Sequence, residues 1–215
     1  MESAATSATT PTEFPVPSLP SAMAERILGV AGRLFYANGI HATGIDRVIA
    51  EAGIAKMSLY KHFRSKDALV LAFLARRDER WCGWLAARLD ALTARARRPN
   101  ARILAIFDAL GEWFASRDFR GCAFINAAVE FADADHLARR AAALHKTRVR
   151  DLIEAECRRE RLRQPVEAAA RLAMIVEGAI ITAQLGEPKT AASRAQAVAR
   201  ATLIDFTALP KKEPA

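Results

Sequence analysis

Hydrogen-bond donors are concentrated in a short segment over residues 56–66. Within it Leu59 and Phe63 stand one helical turn apart, so a helix would bury both and turn the other side chains outward. Lysine and tyrosine suit phosphate oxygens, and lysine and serine also reach base edges. We therefore predict base contacts by Lys56, Met57, Ser58 and Lys61, and contacts with the sugar–phosphate backbone by Thr43, Tyr60, His62 and Lys66.

Nucleophiles and metal ligands are scattered elsewhere in the chain. The four histidines are far apart in the sequence, and no nucleophile–base pair or phosphate-binding loop occurs at a usable spacing. Asp133-x-Asp135-His136 is compatible with a metal site, but acids that cap the next helix explain the same residues with fewer assumptions. We predict that the protein is not an enzyme and has no metal site and no cofactor.

The composition favours a helical protein with an anionic partner. Hydrophobic residues make up 52% of the 215 positions and charged residues 26%, which is enough to bury a core. Leu, Ala, Arg and Glu dominate, while β-branched runs are scarce. The formal net charge is +8, and residues 22–66 hold seven basic and three acidic residues, a net +4. Nucleic acid, an acidic membrane surface and an acidic ligand would each suit that charge.

The cysteines and the hydropathy of the chain indicate the cellular compartment in which the protein occurs. Cys82, Cys122 and Cys157 are odd in number and widely spaced, unlike a disulfide framework or paired zinc knuckles. The N-terminus lacks a basic segment followed by an apolar one, and no stretch reaches the roughly 18 apolar residues of a membrane span. We predict a cytoplasmic protein with no membrane association.

Start and stop signals place three short helices around the donor-rich segment. The first is predicted over about 22–38, where an Asn-Gly pair ends it. Thr43 is predicted to cap a second helix that ends at Gly53, and the third covers about 56–63. Two short helices joined by a tight glycine turn form a helix-turn-helix, whose second helix fits the major groove of DNA.

Longer helices are predicted beyond this unit. Ser65 should cap a fourth helix that breaks near Pro99, and others are expected over about 103–117, 122–131, 135–161, 166–185 and 191–209. We expect an all-α fold, with an N-terminal three-helix helix-turn-helix DNA-binding domain at 21–65 and a larger C-terminal helical domain at 66–209. Residues 1–20, rich in Ser, Thr and Pro, are predicted to be a disordered arm, and residues 210–215 a tail.

The motif in this region is similar to that of a known family. Residues 43–69 read TGIDRVIAEAGIAKMSLYKHFRSKDAL, in which LYKHFRSKDAL is highly specific. The chain resembles the tetracycline-repressor (TetR) family of helix-turn-helix transcriptional regulators over residues 22–70, and its GCAFINAAVEF stretch at 121–131 resembles one large branch of that family. Two positions depart from the family pattern: Ala55 replaces a common capping serine, and Ile49 replaces a common small residue. The resemblance implies that the C-terminal domain binds a ligand and forms a dimer.

A homodimer is also expected on physical grounds. One three-helix module reads few base pairs, whereas a twofold pair of modules matches a palindromic operator. The helix predicted over 166–185 is apolar nearly all round, which indicates burial on two sides, although an entirely intrachain core would also explain it. The predicted dimer interface consists of Leu172, Ile175, Val176, Ala179, Ile180, Ala183, Val198, Ala201 and Ile204.

The resemblance further implies a small-molecule effector held between helices of the larger domain. An aromatic pocket with a few polar groups suits an apolar or aromatic ligand. The candidate ligand-binding residues are Trp113, Phe114, Phe124, Asn126, Glu130, Met174 and Glu177. The fourth helix joins the two domains, so it is the natural lever through which ligand binding would change DNA affinity.

These observations predict a ligand-responsive, sequence-specific DNA-binding regulator. Its expected partners are double-stranded DNA carrying a palindromic operator, a small-molecule effector and a second copy of the chain, and repression is what the resemblance implies. The alternative is a helical homodimeric interaction protein that has lost DNA binding, which Ile49 and Met57 leave open. Membrane-surface binding is less well supported, because the arginines of the fourth helix are interleaved with acids and core residues.

Overall fold

Helices make up most of the chain that the structure describes. The computed structural model describes residues 21–207, in which no β-strand occurs and none of the helices is both long and apolar enough to cross a membrane. The predicted arm at 1–20 and tail at 210–215 lie outside these residues. The helices are α1 (Ala22–Asn38), α2 (Ile45–Ala52), α3 (Lys56–His62), α4 (Lys66–Thr93), α5 (Ala101–Phe114), α6 (Ala123–Glu130), α7 (Leu137–Arg159), α8 (Pro165–Gln184) and α9 (Ala191–Ile204). The all-α prediction is confirmed.

The first three helices form a small unit around shared apolar side chains. Ser21 Oγ accepts a hydrogen bond from the Ala24 N–H and caps α1. Gly53 ends α2 with φ 60°, a left-handed conformation that favours glycine and turns the chain into α3. Val48 of α2 and Leu59 of α3 are completely buried. This glycine turn therefore fixes the outward direction of the donor-rich side of α3.

Thr43 does not cap α2, contrary to the sequence prediction. The N-cap residue is Gly44, which offers no side chain. The Thr43 hydroxyl instead donates to the Gly39 carbonyl at 2.7 Å, and its backbone N–H donates to the Ile40 carbonyl at 3.3 Å. The residue is completely buried, because the carbonyls of the turn after α1 need partners. The predicted contact between Thr43 and a DNA phosphate is therefore wrong, since neither its hydroxyl nor its N–H is available.

The long helix α4 connects this unit to the rest of the chain. Ser65 caps it as predicted, with the Ala68 N–H 3.0 Å from Ser65 Oγ. Its N-terminal half packs on α1, where Phe73 meets Phe35 edge-on, and its C-terminal half packs on α5 and α7 through Trp81. Helices α5, α7, α8 and α9 complete the larger bundle.

Most predicted helices beyond α4 exist, but several end within a few residues of the predicted limits. Helix α5 ends at Phe114 rather than near 117, because the Ser116 hydroxyl donates to the Trp113 carbonyl at 2.7 Å in the following turn. Helix α7 begins at Leu137, where His136 Nδ1 accepts the Ala138 N–H at 3.2 Å. The cap is therefore His136 rather than an acid as predicted, since Asp133 Oδ1 accepts the Asp135 N–H at 2.9 Å and Asp135 pairs with Arg140. The last helix ends at Ile204, before the predicted limit at 209.

Candidate functional site

The outward side of α3 presents the predicted DNA-contacting side chains. Met57 is 80% exposed and Tyr60 40% exposed, whereas Leu59 is completely buried and anchors the helix. The other predicted contacts are exposed (Lys56, Lys61) or half-buried (Ser58, His62, and Lys66 at the start of α4). Donors on a helix held by a buried leucine can enter a groove without disturbing the core.

The cations of this surface are available to an anionic partner. Lys61 makes no hydrogen bond or ion pair with any residue in the described range 21–207. Lys56 Nζ lies 3.7 Å from Asp46 Oδ1, but both side chains are largely exposed, and such pairs contribute little. The surface can therefore exchange water and weak ion pairs for phosphate oxygens at low cost.

A small cavity lies inside the larger bundle, between α4, α5, α6, α7 and α8. Its volume is about 10 Å³, which is room for roughly one water molecule. A larger ligand can enter only if side chains move. The residues that line it are Arg77, Trp81, Trp113, Cys122, Ala123, Phe124, His145, Lys146, Val149, Val176, Glu177 and Ile180.

A buried charge network lies behind His145, one of the residues that line this cavity. Asp78 is 1% exposed, and its Oδ1 lies 2.6 Å from His145 Nδ1 while Oδ2 accepts from Arg148 at 2.5 Å. Burial alone would raise the pKa of Asp78, but the hydrogen bonds from His145 and Arg148 outweigh it and the pKa lies below its usual range. Burial lowers the pKa of His145, although the hydrogen bond to Asp78 acts in the opposite direction. The network thus favours the ionised form of the Asp78 carboxyl and disfavours protonation of His145.

Cys82 adjoins the same network. Within the described residues, one group of side chains lies close enough together to bind a single metal ion: Asp78, Cys82 and His145. However, Arg148 already compensates the Asp78 carboxylate, and burial together with Asp78 raises the pKa of Cys82 to about 12. A thiol binds metal as the thiolate, which this environment disfavours. We therefore assign these residues to a hydrogen-bonded network rather than to a metal site.

A second ion pair crosses the cavity from α7 to α8. Lys146 Nζ donates to Glu177 Oε2 at 2.6 Å and to Cys122 Sγ at 3.4 Å, and both charged side chains are about one-third exposed. Opposite them His145 stacks on Phe124, with ring centroids 3.7 Å apart. The cavity therefore combines aromatic faces with a polar side that can bind a substituent of a ligand.

The outer face of α8 and α9 is apolar and unpartnered in the single chain. On α8 the stripe contains Met174, which is 75% exposed, and Ile181; on α9 it contains Val198 and Ile204, which are 53% and 72% exposed. Met174 and Ile181 are seven residues, or about two turns, apart on α8, Ala201 lies midway between Val198 and Ile204 on α9, and the two helices pack directly against each other. We call these four residues, with Ala201, the outer apolar face.

Comparison with known proteins places these features in a family. The profile of bacterial regulatory proteins of the tetR family matches residues 27–73, and that of the tetracyclin repressor-like C-terminal domain matches residues 99–199. The crystal structure of a TetR-family transcriptional regulator from Streptomyces coelicolor is 31% identical, with a TM-score of 0.74 over 86% of this chain and 97% of that one. The chain belongs to the TetR family. A TetR regulator from Chloroflexus aurantiacus is also similar, at 25% identity and a TM-score of 0.71 over 86% of this chain and 95% of that one.

Curated relatives match this chain over part of their length. The transcriptional activator FasR of Mycolicibacterium smegmatis is 35% identical over 39% of this chain and 38% of its own length. The transcriptional repressor KstR2 of the same organism is 32% identical over 42% of each chain. The chain thus spans about two-fifths of the length of these relatives. One is named an activator and the other a repressor, so these names do not set the direction of regulation. Membership of the TetR family makes the chain a DNA-binding transcription regulator rather than an enzyme.

In this TetR protein the predicted effector residues separate into two groups. Trp113, Phe124 and Glu177 line the cavity, whereas Phe114 is buried away from its lining. Met174 belongs to the outer apolar face, because α8 turns it away from the cavity. Asn126 bonds to the Arg120 carbonyl and to Gln184, and Glu130 reaches the N-terminal unit, so both side chains hold the fold together instead of facing the cavity. We therefore remove Phe114, Asn126, Glu130 and Met174 from the proposed effector set.

The predicted dimer residues separate similarly. Ile175 is half-buried, and Val198, Ala201 and Ile204 are exposed. The other five are at most 4% exposed within one chain, so their side chains are already used by the intrachain core: Leu172, Val176, Ala179, Ile180 and Ala183. Helix α8 is thus apolar on two sides: one side packs in the core of the same chain, and the other is exposed in the single chain.

Helix α6 contacts the DNA-binding unit at both of its ends, which the sequence did not predict. At its end, the Glu130 carboxylate accepts the Ile40 N–H at 2.8 Å and the His41 N–H at 2.6 Å. Just before its start, the Tyr36 hydroxyl donates to the Gly121 carbonyl at 2.8 Å. These partners are about 90 residues apart in the chain, so no local pattern could have indicated them. A shift of α6 would therefore act directly on α1 and on the turn before α2.

Removing the Glu130 carboxylate is expected to loosen this turn. In a Glu130→Ala variant the Ile40 and His41 N–H groups lose a charged acceptor, which should lower the unfolding free energy by roughly 1–3 kcal/mol. Amide hydrogen exchange at these two residues should become faster than in wild type. Glu154→Ala is the matched control, because Glu154 is equally exposed (22%) but pairs only with Arg158 on its own helix. Unchanged exchange at both amides would contradict the assignment.

Proposed function

We propose that this TetR-family protein is a cytoplasmic homodimeric repressor that binds a palindromic operator and is released when a small apolar or aromatic effector enters the larger domain. The observation that carries the proposal is the exposed donor surface of α3, held by the buried Leu59 and positioned by the Gly53 turn. Lys56, Met57, Ser58 and Lys61 would meet base edges, and Tyr60, His62 and Lys66 the phosphates. Thr43 is excluded from this set by its burial.

Dimerisation is supported by the outer apolar face. Met174, Ile181, Val198 and Ile204 form a surface on two packed helices that, in one chain, faces solvent. Two copies related by a twofold axis would join these helices into a four-helix contact and present two α3 helices to one palindrome. This assigns the interface to the exposed residues rather than to the buried side of α8.

Effector control is supported by the cavity and by its two connections to the DNA-binding unit. The cavity has aromatic walls and a polar side, but its volume of about 10 Å³ requires side chains to move when a ligand enters. Trp81 and His145 tie it to α4, and α6 carries Glu130 to the turn before α2. A ligand that favours one arrangement of α4 and α6 would shift operator affinity by its difference in affinity for the two states.

An interaction protein without DNA binding is the alternative. It would keep the outer apolar face and the helical bundle, and the uncapped start of α3 at Ala55 is compatible with it. The unpaired Lys61 and the exposed Tyr60 favour the regulator, because neither stabilises the chain itself.

DNA selection with the purified protein tests the proposal. Duplexes enriched from a randomised library should contain an inverted repeat, and their affinity should fall steeply as salt increases. A Tyr60→Ala, Lys61→Ala variant should bind the selected duplex at least about tenfold more weakly, because a phosphate contact and a base contact are lost. Lys189→Ala is the control, since it removes one exposed cation outside α3. Failure to enrich any sequence, or equal binding by the α3 variant, would favour the interaction protein.

A further inference from the structure

A surface cleft lies where the DNA-binding unit meets the larger bundle. It consists of two adjoining depressions of about 430 and 250 Å³ between α1, α4, α5 and the turn after α5. Both are lined by Tyr36, Arg77, Arg80 and Asp118, so they form one space. We call it the junction cleft. Its larger part has a volume typical of small-molecule sites.

Three tryptophans give the junction cleft an aromatic side. Trp81 lies 6.3 Å from Trp84 and 5.9 Å from Trp113, measured between ring centroids. Trp84 and Trp113 are half-buried, so part of each ring faces the cleft. Trp81, Trp113 and Arg77 also line the interior cavity, so the junction cleft is separated from that cavity only by their side chains.

The opposite side of the junction cleft is positively charged. Four arginines line it against two acids, and one of those acids, Glu112, is already held by two hydrogen bonds from Arg88 at 2.8 and 2.6 Å. Glu25 pairs with Arg76, so Asp118 is the acid of the lining that is left to oppose Arg33, Arg77 and Arg80, and one carboxylate does not balance three cations.

Two of these arginines have unused donors. Arg76 Nη2 pairs with Glu25 at 2.7 Å. The other terminal nitrogen, Arg76 Nη1, is buried and has no hydrogen-bond partner within residues 21–207. Arg80 is exposed and makes no hydrogen bond or ion pair with the described part of the chain. A buried donor without an acceptor is costly, so a movement of Arg76 that brings Nη1 to an acceptor in the cleft would be favourable.

We propose that the junction cleft binds an aromatic carboxylate. Its carboxylate accepts from Arg80 and, once the Arg76 side chain turns its buried Nη1 toward the cleft, from Arg76 as well, and its ring lies against the tryptophans. The junction cleft is a second site, distinct from the interior cavity, and only its regulatory role rests on the proposed function. Because α1 forms one wall and α4 and α5 the others, a ligand in the cleft favours one position of the DNA-binding unit relative to the bundle.

Calorimetric titration of the full chain with 2-naphthoate tests the site without DNA. We expect saturable binding with one ligand per chain and at least about tenfold weaker binding of 2-naphthamide, which has the same ring system without the charge. Arg80→Ala and Arg76→Lys should each weaken naphthoate binding by about tenfold; the lysine keeps the charge near Glu25 but lacks the second nitrogen. Arg150→Ala, an exposed cation on α7, is the control. No binding, equal affinity for acid and amide, or full affinity in both cleft variants would overturn the proposal.

The regulatory part is measured separately on the selected operator duplex. Saturating 2-naphthoate should weaken operator binding by wild type and leave Arg80→Ala unaffected at the same concentration. Binding of naphthoate without any change in operator affinity would overturn the effector role. If the protein binds no DNA at all, the proposed function fails, while the calorimetric comparison still decides whether the cleft is a carboxylate site.

Discussion

A Val198→Asp, Ile204→Asp double variant is expected to be monomeric and to bind the selected operator at least about 100-fold more weakly than wild type. Both side chains belong to the outer apolar face and are more than half exposed in one chain, so aspartate there should leave the monomer folded. In the proposed dimer they become buried, where an unpaired carboxylate costs several kcal/mol. A monomer contacts only one half-site, so it loses the gain in affinity of about 10²–10⁴ that comes from linking two DNA contacts. Sedimentation velocity would give the mass, and fluorescence anisotropy the affinity.

A matched control separates the interface from general effects of new charge. Val129→Asp on α6 changes the same residue type at a position that is 77% exposed and outside the outer apolar face. It should remain a dimer with wild-type affinity. A double variant that stays dimeric at micromolar concentration would show that the subunits meet elsewhere.

Helix positions were largely predictable because their signals are local. The stop after Asn38, the glycine turn at Gly53 and the serine cap at Ser65 depend on residues within four positions of the helix end. The structure has α1 over Ala22–Asn38, the range that the Asn-Gly signal indicates. The outward side of α3 followed from Leu59 and Phe63 alone, and both are buried.

Side-chain partners across the fold were not predictable in the same way. Thr43 has the right type for a helix cap, but its hydroxyl meets Gly39, since the chain folds back before α2 begins. Glu130 lies in an apolar run, which suggested a polar group in a ligand pocket. Its carboxylate oxygens instead accept hydrogen bonds from the backbone N–H groups of Ile40 and His41. The spacing of apolar residues along a helix shows that one face is buried, but it does not show which part of the protein packs against that face.

The same limit applies to α8 and to the buried network. An all-round apolar helix must be covered on two sides, but only the packing of α7 and α9 shows that Leu172 and Val176 face inward and Met174 outward. Asp78 and His145 are 67 residues apart, and each reads locally as an exposed helical residue. Their pairing places a polar side chain, His145, in the cavity lining, which the sequence had predicted to be aromatic with a few polar groups from other positions.

Asp78→Ala is expected to lower the unfolding free energy by about 3–5 kcal/mol. The carboxylate is 1% exposed and partners both His145 and Arg148, so its removal leaves the buried His145 N–H without this acceptor and takes one ion-pair partner from Arg148. Denaturation with urea, followed by circular dichroism at neutral pH, would give the difference. Asp78→Asn should cost less, because the amide oxygen still accepts one hydrogen bond. Either variant matching wild type would show that the network carries no stability.

The pH dependence of the same pair distinguishes a charge network from simple cavity formation. Burial holds the pKa of folded His145 below its ordinary value of 6.5, so the unfolded chain takes up that proton first and stability falls as the pH drops through 6.5. Asp78 opposes this fall, because its hydrogen bond raises the pKa of His145. The Asp78→Ala variant should therefore lose stability more steeply than wild type between pH 7 and pH 5, at up to about 1.4 kcal/mol per pH unit. The stabilisation by the Asp78 carboxylate itself does not change between pH 7 and pH 5, because its lowered pKa keeps the carboxylate ionised until the solution is more acidic. Parallel curves for the two proteins would mean that Asp78 stabilises the core by packing alone.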